Sequence, residues 1–166
     1  MTDKERVIKE RISHSGIFDF PAFYGFVHYW LEEEGYGVVE RKYAEKVTGN
    51  TREISIEWKA TKKLSDYFKI EIELDYEVKE LSDVEVEIDG KKKKMNKGKI
   101  EIELTGNLIK DPESSWESTP LNRFLRDVYN KYIIPTRVES MNEKVKADVR
   151  DIKEEMKAFF TLSGRR

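Results

Sequence analysis

The sequence predicts an α+β domain: an antiparallel meander of five or six strands, packed on one face by two N-terminal helices and a long C-terminal helix kinked at Pro135. Three observations carry this. From Tyr67 to Val78, apolar Phe68, Ile70, Ile72, Leu74, Tyr76 and Val78 alternate with charged Lys69, Glu71, Glu73, Asp75 and Glu77. Period two over a dozen residues means a strand with one face in a core and the other in water. The same period returns at Ile54, Ile56, Trp58, Ala60 and at Ile100, Ile102, Leu104. Short turn-rich connections separate these runs, and short connections require antiparallel neighbours.

Taken in order, residues 3–13 read as a short charged helix, with Asp3 as N-cap and Val7, Ile8 and Ile12 on one side, ended by Ser13-His14-Ser15-Gly16. A second helix starts at the cap Asp19, with Pro21 in its first turn, where a missing N–H costs nothing. Phe23, Phe26, Val27, Trp30 and Leu31 form its apolar stripe, and Gly35 stops it. Strands are expected at about 36–47, 52–62, 66–79, 83–89, 91–95 and 98–110, with turns at Thr48-Gly49-Asn50, Leu64-Ser65, Leu81-Ser82, Asp89-Gly90 and Asn96-Lys97-Gly98. Asp-Gly suits a type I′ hairpin turn, which needs positive φ at both central residues. The first of these strands suits an edge, since Val39, Tyr43 and Val47 share a face with Arg41 and Glu45. After a loop carrying Trp116, Thr119-Pro120 opens a helix whose stripe is Leu121, Phe124, Leu125, Val128, Tyr129, Tyr132 and Ile133. Pro135 breaks or kinks it. Val138, Met141, Val145, Val149, Ile152, Met156 and Phe159 then continue as a narrower seam. One domain spans 1–166, with 1–16 and 161–166 peripheral or frayed.

Composition narrows the classes. Charged residues make up 39% of the chain, yet the net charge is only −2 and the apolar residues are periodic, which favours a folded core over disorder. Cysteine and glutamine are absent, and Lys and Glu abound, a style shared by hyperthermophile, archaeal-type proteins and by AT-rich genomes. No disulfide or thiolate metal site can form. The start MTDKERVIKERI has no apolar core of a secretory signal, and no run reaches 18 apolar residues, so the expectation is a soluble cytoplasmic protein. Basic and acidic groups number 7 and 9 in residues 1–50, 13 and 14 in 51–110, and 11 and 10 in 111–166; no segment has the basic excess of a nucleic-acid binder.

No catalytic, cofactor or metal constellation is read. The two histidines, His14 and His28, lack spaced partners, with His14 expected in solvent, and no HExxH, HxH or calcium-loop pattern occurs. An enzyme would need a polar cluster around His28 or Tyr24. The acidic alternation of Glu71, Glu73, Asp75 and Glu77 reads as a solvated face with cross-strand ion pairs. Lys91-Lys92-Lys93-Lys94 faces Glu85-Val86-Glu87 across the Asp-Gly turn and reads as a charged ribbon, with phosphate or anionic lipid as the functional alternatives.

Two segments point beyond packing. Residues 17–36 hold eight of the 19 aromatics, and Phe20, Tyr24 and Tyr29 point away from the Phe23/Val27/Trp30 side. The seam Met141, Val145, Val149, Ile152 and Met156 has the spacing of a helix–helix contact, which makes a homodimer through the C-terminal helix a candidate. The order of elements over residues 17–160 resembles the helix-grip architecture of the START/Bet v 1-like superfamily, in which a curved sheet grips a long terminal helix. That family begins with a strand before two short helices, whereas residues 1–16 here read as helical. Two functions follow: a non-catalytic interaction or structural module, or, as the resemblance implies, a carrier of a hydrophobic small molecule. The carrier's cavity would be lined by Phe23, Val27, Trp30, Trp58, Phe68, Ile70, Ile72, Tyr76 and Leu104.

Overall fold

A computed structural model describes residues 3–110, 121, 124 and 134–163. In chain order the elements are β1 (Asp3–Phe18), α1 (Phe20–Glu33), β2 (Gly37–Thr48), β3 (Thr51–Lys63), β4 (Phe68–Ile88), β5 (Lys91–Lys110) and α2 (Ile134–Ser163). The strands form one antiparallel sheet in the order β1-β5-β4-β3-β2. Consecutive strands from β2 to β5 are neighbours, as short connections require, and β1 closes the far edge. No helix among the described residues is long and apolar enough to cross a membrane.

The expected alternation sets the faces. Ile54, Ile56, Trp58, the even residues Phe68 to Val78, Ile100, Ile102, Leu104 and Leu108 are buried in one apolar cluster. The same cluster takes in Phe23, Val27 and Leu31 of α1 and Val145, Val149, Ile152, Met156 and Phe160 of α2. Burying one such side chain stabilises by about 1.5–3 kcal/mol. Gly106 is the point of closest approach: a Cβ there would lie 2.8 Å from methyls of both Val145 and Val149 and 3.0 Å from Ile8. The missing side chain lets α2 rest on β5.

Residues 3–18 correct the expectation of a peripheral helix: they are an edge strand paired along β5, from Asp3 opposite Lys110 to Phe18 opposite Asn96. Their alternation is masked for two reasons. A bulge at Val7 shifts the parity. Polar side chains also stand on the buried face: Glu10 meets Lys153 of α2 at 3.3 Å, and the His14 ring stacks on Phe160 at 4.5 Å between centroids. One helix, not two, therefore lies between the first two strands.

The six expected strands become four, β2 to β5, and β1 makes the fifth. Asp89 and Gly90 adopt φ of 52° and 78°, as a type I′ turn demands, but the segments at 81–82 and 96–98 are not turns. β4 and β5 run through them as one hairpin, with a bulge between Lys79 and Ser82. Gly98 faces that bulge, where a Cβ would sit 3.0 Å from the Leu81 Cα and the Lys79 carbonyl oxygen. The glycine serves a close backbone approach.

Leu121 and Phe124 were expected on a core-facing stripe, and both are exposed. The rest of that helix, the loop with Trp116 and the segment on which a kink at Pro135 would be seen lie outside the described residues.

Candidate functional site

The start of α1 is held from two sides. Asp19 caps it, its Oδ1 accepting from the Ala22 N–H at 3.1 Å, and Pro21 needs no partner. The Phe20 N–H donates to Asn96 Oδ1 at 2.9 Å, which ties the helix to β5, and the Phe23 N–H returns to the Asp19 carbonyl. One turn after Phe20, Tyr24 reaches β2 and β3. Its ring meets Trp58 edge-on at 4.8 Å.

Glu40 on β2 pairs directly across from Trp58 on β3. Its Oε1 accepts from Trp58 Nε1 at 3.1 Å and from the Tyr24 hydroxyl. Immediately after Glu40, a bulge at Arg41 shifts the register. Because side chains alternate, the shift brings Tyr43 to the face of Glu40, and Tyr43 pairs with buried Ile56. Val39, paired with Lys59, is on the opposite face, so Val39 does not share a face with Tyr43 and Val47 as expected. Arg52 stands opposite Val47 and is engaged by Glu45 at 3.6 Å and Asp83 at 3.2 Å.

These groups line a pocket of about 310 Å³ between the N-terminal half of α1 and the β2–β3 hairpin: Phe20, Pro21, Tyr24, Glu40, Tyr43, Arg52 and Ile54. Burial, followed by the hydrogen bond to Glu40, pushes the Tyr24 phenol up to about 12. Burial, helped by Glu45, raises Tyr43 too. Behind them Tyr76 is fully buried, and its hydroxyl has no hydrogen-bond partner among the described residues. Burial, with Tyr24 and Glu40 adding to it, holds that phenol well above its usual value.

Of the nine positions expected to line a cavity, Phe23, Val27, Trp58, Phe68, Ile70, Ile72, Tyr76 and Leu104 are buried in the apolar cluster, and Trp30 packs partly buried against it. Phe23 stacks on Phe160 at 4.5 Å and meets Tyr76 at 6.3 Å. The pocket opens beside this cluster. Sequence reasoning singled out Phe20 and Tyr24 as pointing away from it, but did not bring Glu40, Tyr43 or Arg52 to them. The self-association seam is occupied within the chain: Val145, Val149, Ile152 and Met156 are at most 1% exposed against the sheet, with Met141 at its margin.

His14 is half-buried against Phe160 and Phe18, which corrects its expected exposure. His28 Nδ1 lies 2.8 Å from Glu32 Oε1 on the same helix, with its ring against Trp58. Among the described residues no group of three or more His, Asp or Glu side chains could hold a metal ion. A larger depression of about 710 Å³ lies between β1 and the end of α2, but its cations are already matched: Arg11 by Glu103, Lys153 by Glu10, Lys157 by Glu154.

The outer sheet face carries the expected ion pairs, such as Lys9 with Glu103 at 3.3 Å and Lys42 with Glu57 at 3.7 Å. Glu71 is the exception to a solvated face. Its side chain is 1% exposed, held by Lys4 at 2.6 Å, Lys59 at 2.9 Å and Asn107 at 3.1 Å. Burial pushes this carboxyl up, but the three partners outweigh burial and hold it below its ordinary value. The lysine ribbon is partnered across its hairpin, Lys92 with Glu85 at 3.7 Å and Lys94 with Asp83 at 3.3 Å.

No family model matches the sequence, and no curated protein matches it.

Proposed function

We propose that this chain binds a small, largely apolar molecule in the pocket between α1 and the β2–β3 hairpin, as a non-catalytic carrier or sensor domain. The observation that carries this is the pocket's composition. Its volume of about 310 Å³ is at the lower end for ligand sites, and aromatic and aliphatic walls surround a few convergent polar groups. Glu40 is fixed by two hydrogen bonds, so the polar end of a ligand meets a preorganised group. The order of elements adds support at the level of fold. The START/Bet v 1-like architecture begins with a strand, and residues 3–18 supply one beside β5. A single described helix stands where that family has two.

The test is an amide NMR titration with 2-phenylethanol, a neutral molecule of a size the pocket admits. The expected result is a saturable set of shifts confined to Phe20, Tyr24, Tyr43 and Ile54, weakened several-fold in Tyr43→Ala. Tyr43 is 50% exposed, so its truncation leaves the core intact. Shifts that do not saturate, or that scatter over the sheet, would refute the proposal.

A further inference from the structure

The charges around the pocket are unevenly satisfied. Arg52 is taken up by Glu45 and Asp83, and Lys94 also reaches Asp83. Glu40 has no cation within ion-pair distance among the described residues, and of its two oxygens only Oε1 accepts hydrogen bonds. Oε2 is open on a side chain that lines the pocket.

An anionic ligand finds nothing comparable. The helix terminus beside the pocket is a common anion site, but here its N–H groups are spent. Phe20 donates to Asn96, Pro21 has no N–H, and Ala22 and Phe23 donate to Asp19. The single guanidinium is already bridged between two carboxylates. A cation finds one carboxylate with a free oxygen and three aromatic side chains, Phe20, Tyr24 and Tyr43, in the same lining. Aromatic rings attract ammonium groups through their quadrupole, most strongly where water is partly excluded.

We propose that the pocket's ligand is a small organic cation, an alkyl- or arylalkylammonium, whose charged end sits on Glu40 and whose hydrocarbon lies among Phe20, Tyr24 and Tyr43. This rests on the reading of the pocket as a ligand site and narrows it to one chemical class. Trp58 and Tyr24 hold the Glu40 carboxylate in place, and Tyr43 reaches the pocket only because the bulge at Arg41 aims it there.

Three probes of matched shape separate the outcomes: 2-phenylethylamine, 2-phenylethanol and phenylacetate, each titrated at pH 7 by amide NMR into the wild-type chain and into Glu40→Gln. The glutamine amide oxygen can still accept from Trp58 and Tyr24, so the variant removes the charge and keeps the scaffold; an unchanged spectrum away from β2 verifies this. The amine is expected to bind at least about tenfold more tightly than the alcohol, the gain of a charge-assisted contact. In Glu40→Gln the ratio of amine to alcohol affinity is expected to fall to about onefold. Equal binding of amine and alcohol would overturn the cation proposal and leave the ligand site standing. So would tightest binding of phenylacetate, or an amine preference that survives in Glu40→Gln. If none of the three binds saturably, both readings fail.

Discussion

Replacing Gly106 by alanine sets two effects of opposite sign against each other. Gly106 lies within β5 and is not one of the glycines at positive φ. On backbone grounds alone, alanine would therefore stabilise the chain by about 0.4–1 kcal/mol, through a less flexible unfolded state. The added Cβ, however, would stand 2.8 Å from Val145 Cγ1 and from Val149 Cγ2, and 3.0 Å from Ile8 Cγ2. Carbon atoms pack best at about 3.5–4.0 Å, so α2 must lift or β5 bend by close to 1 Å. All three neighbours are β-branched and stiff at χ1, which leaves few local escapes. Overpacking of this kind costs about 1–3 kcal/mol, which exceeds the backbone gain. A net loss of about 1–2 kcal/mol lowers the thermal midpoint by roughly 2–8 °C in a domain of this size. Calorimetry of Gly106→Ala, Val145→Ala and the double variant measures it. The double variant should be more stable than the two single losses predict when added, by about 1 kcal/mol or more, because removing the Val145 methyls makes room for the new one. A neutral or stabilising Gly106→Ala, or strict additivity, would refute the docking of α2 on β5.

Two further outcomes follow from buried polar contacts. Tyr36 donates to Asp148 Oδ2 at 2.6 Å, and Asp148 is 4% exposed with Lys144 as its other partner. Tyr36→Phe should cost about 1–3 kcal/mol in urea unfolding, and a loss below about 0.5 kcal/mol would show that Lys144 alone satisfies the carboxylate. Glu71 has a folded pKa below its ordinary value, so its contribution is complete above the unfolded pKa and is lost as pH falls through the folded one. Glu71→Gln should be less stable than the wild type by about 1–3 kcal/mol at pH 7, a figure moderated by the solvent access of Lys4 and Lys59. The gap should narrow below about pH 4. A gap that stays constant down to pH 2 would remove electrostatics as its source.

The sheet was legible wherever one face of a strand is wholly apolar. Ile54 to Ala60, Phe68 to Val78 and Ile100 to Leu104 needed only period two, and the Asp89-Gly90 turn only its chemistry. Legibility failed where a polar group stands on the buried face, because its partner lies on another element. Glu10 looks like a helical surface residue until Lys153, far along the chain, is placed against it. It failed again at bulges, since Leu81-Ser82 and Gly98 have the residue types of turns but serve an irregularity inside a hairpin. The pocket combines both difficulties. Glu40 acquires its role from Trp58 across the ladder and Tyr24 from a helix, and the bulge at Arg41 reverses the parity by which Tyr43 would be placed. The available signal was the surplus of aromatics on α1, which marked one wall of the pocket.

The position of β1 at the sheet edge shapes how the chain comes to be folded. Synthesis runs from the N-terminus, so β1 is made well before β5, its one strand partner among the described residues. At cellular rates of elongation the interval before β5 emerges is on the order of ten seconds. Through that time β1 has no ladder to join and must avoid pairing with the strands of other nascent chains. Lys4, Glu5, Arg6, Lys9, Glu10 and Arg11 make it a poor template for such pairing, as charged edges do in mature sheets. The same charges that disguise β1 as a helix protect it while it waits for β5.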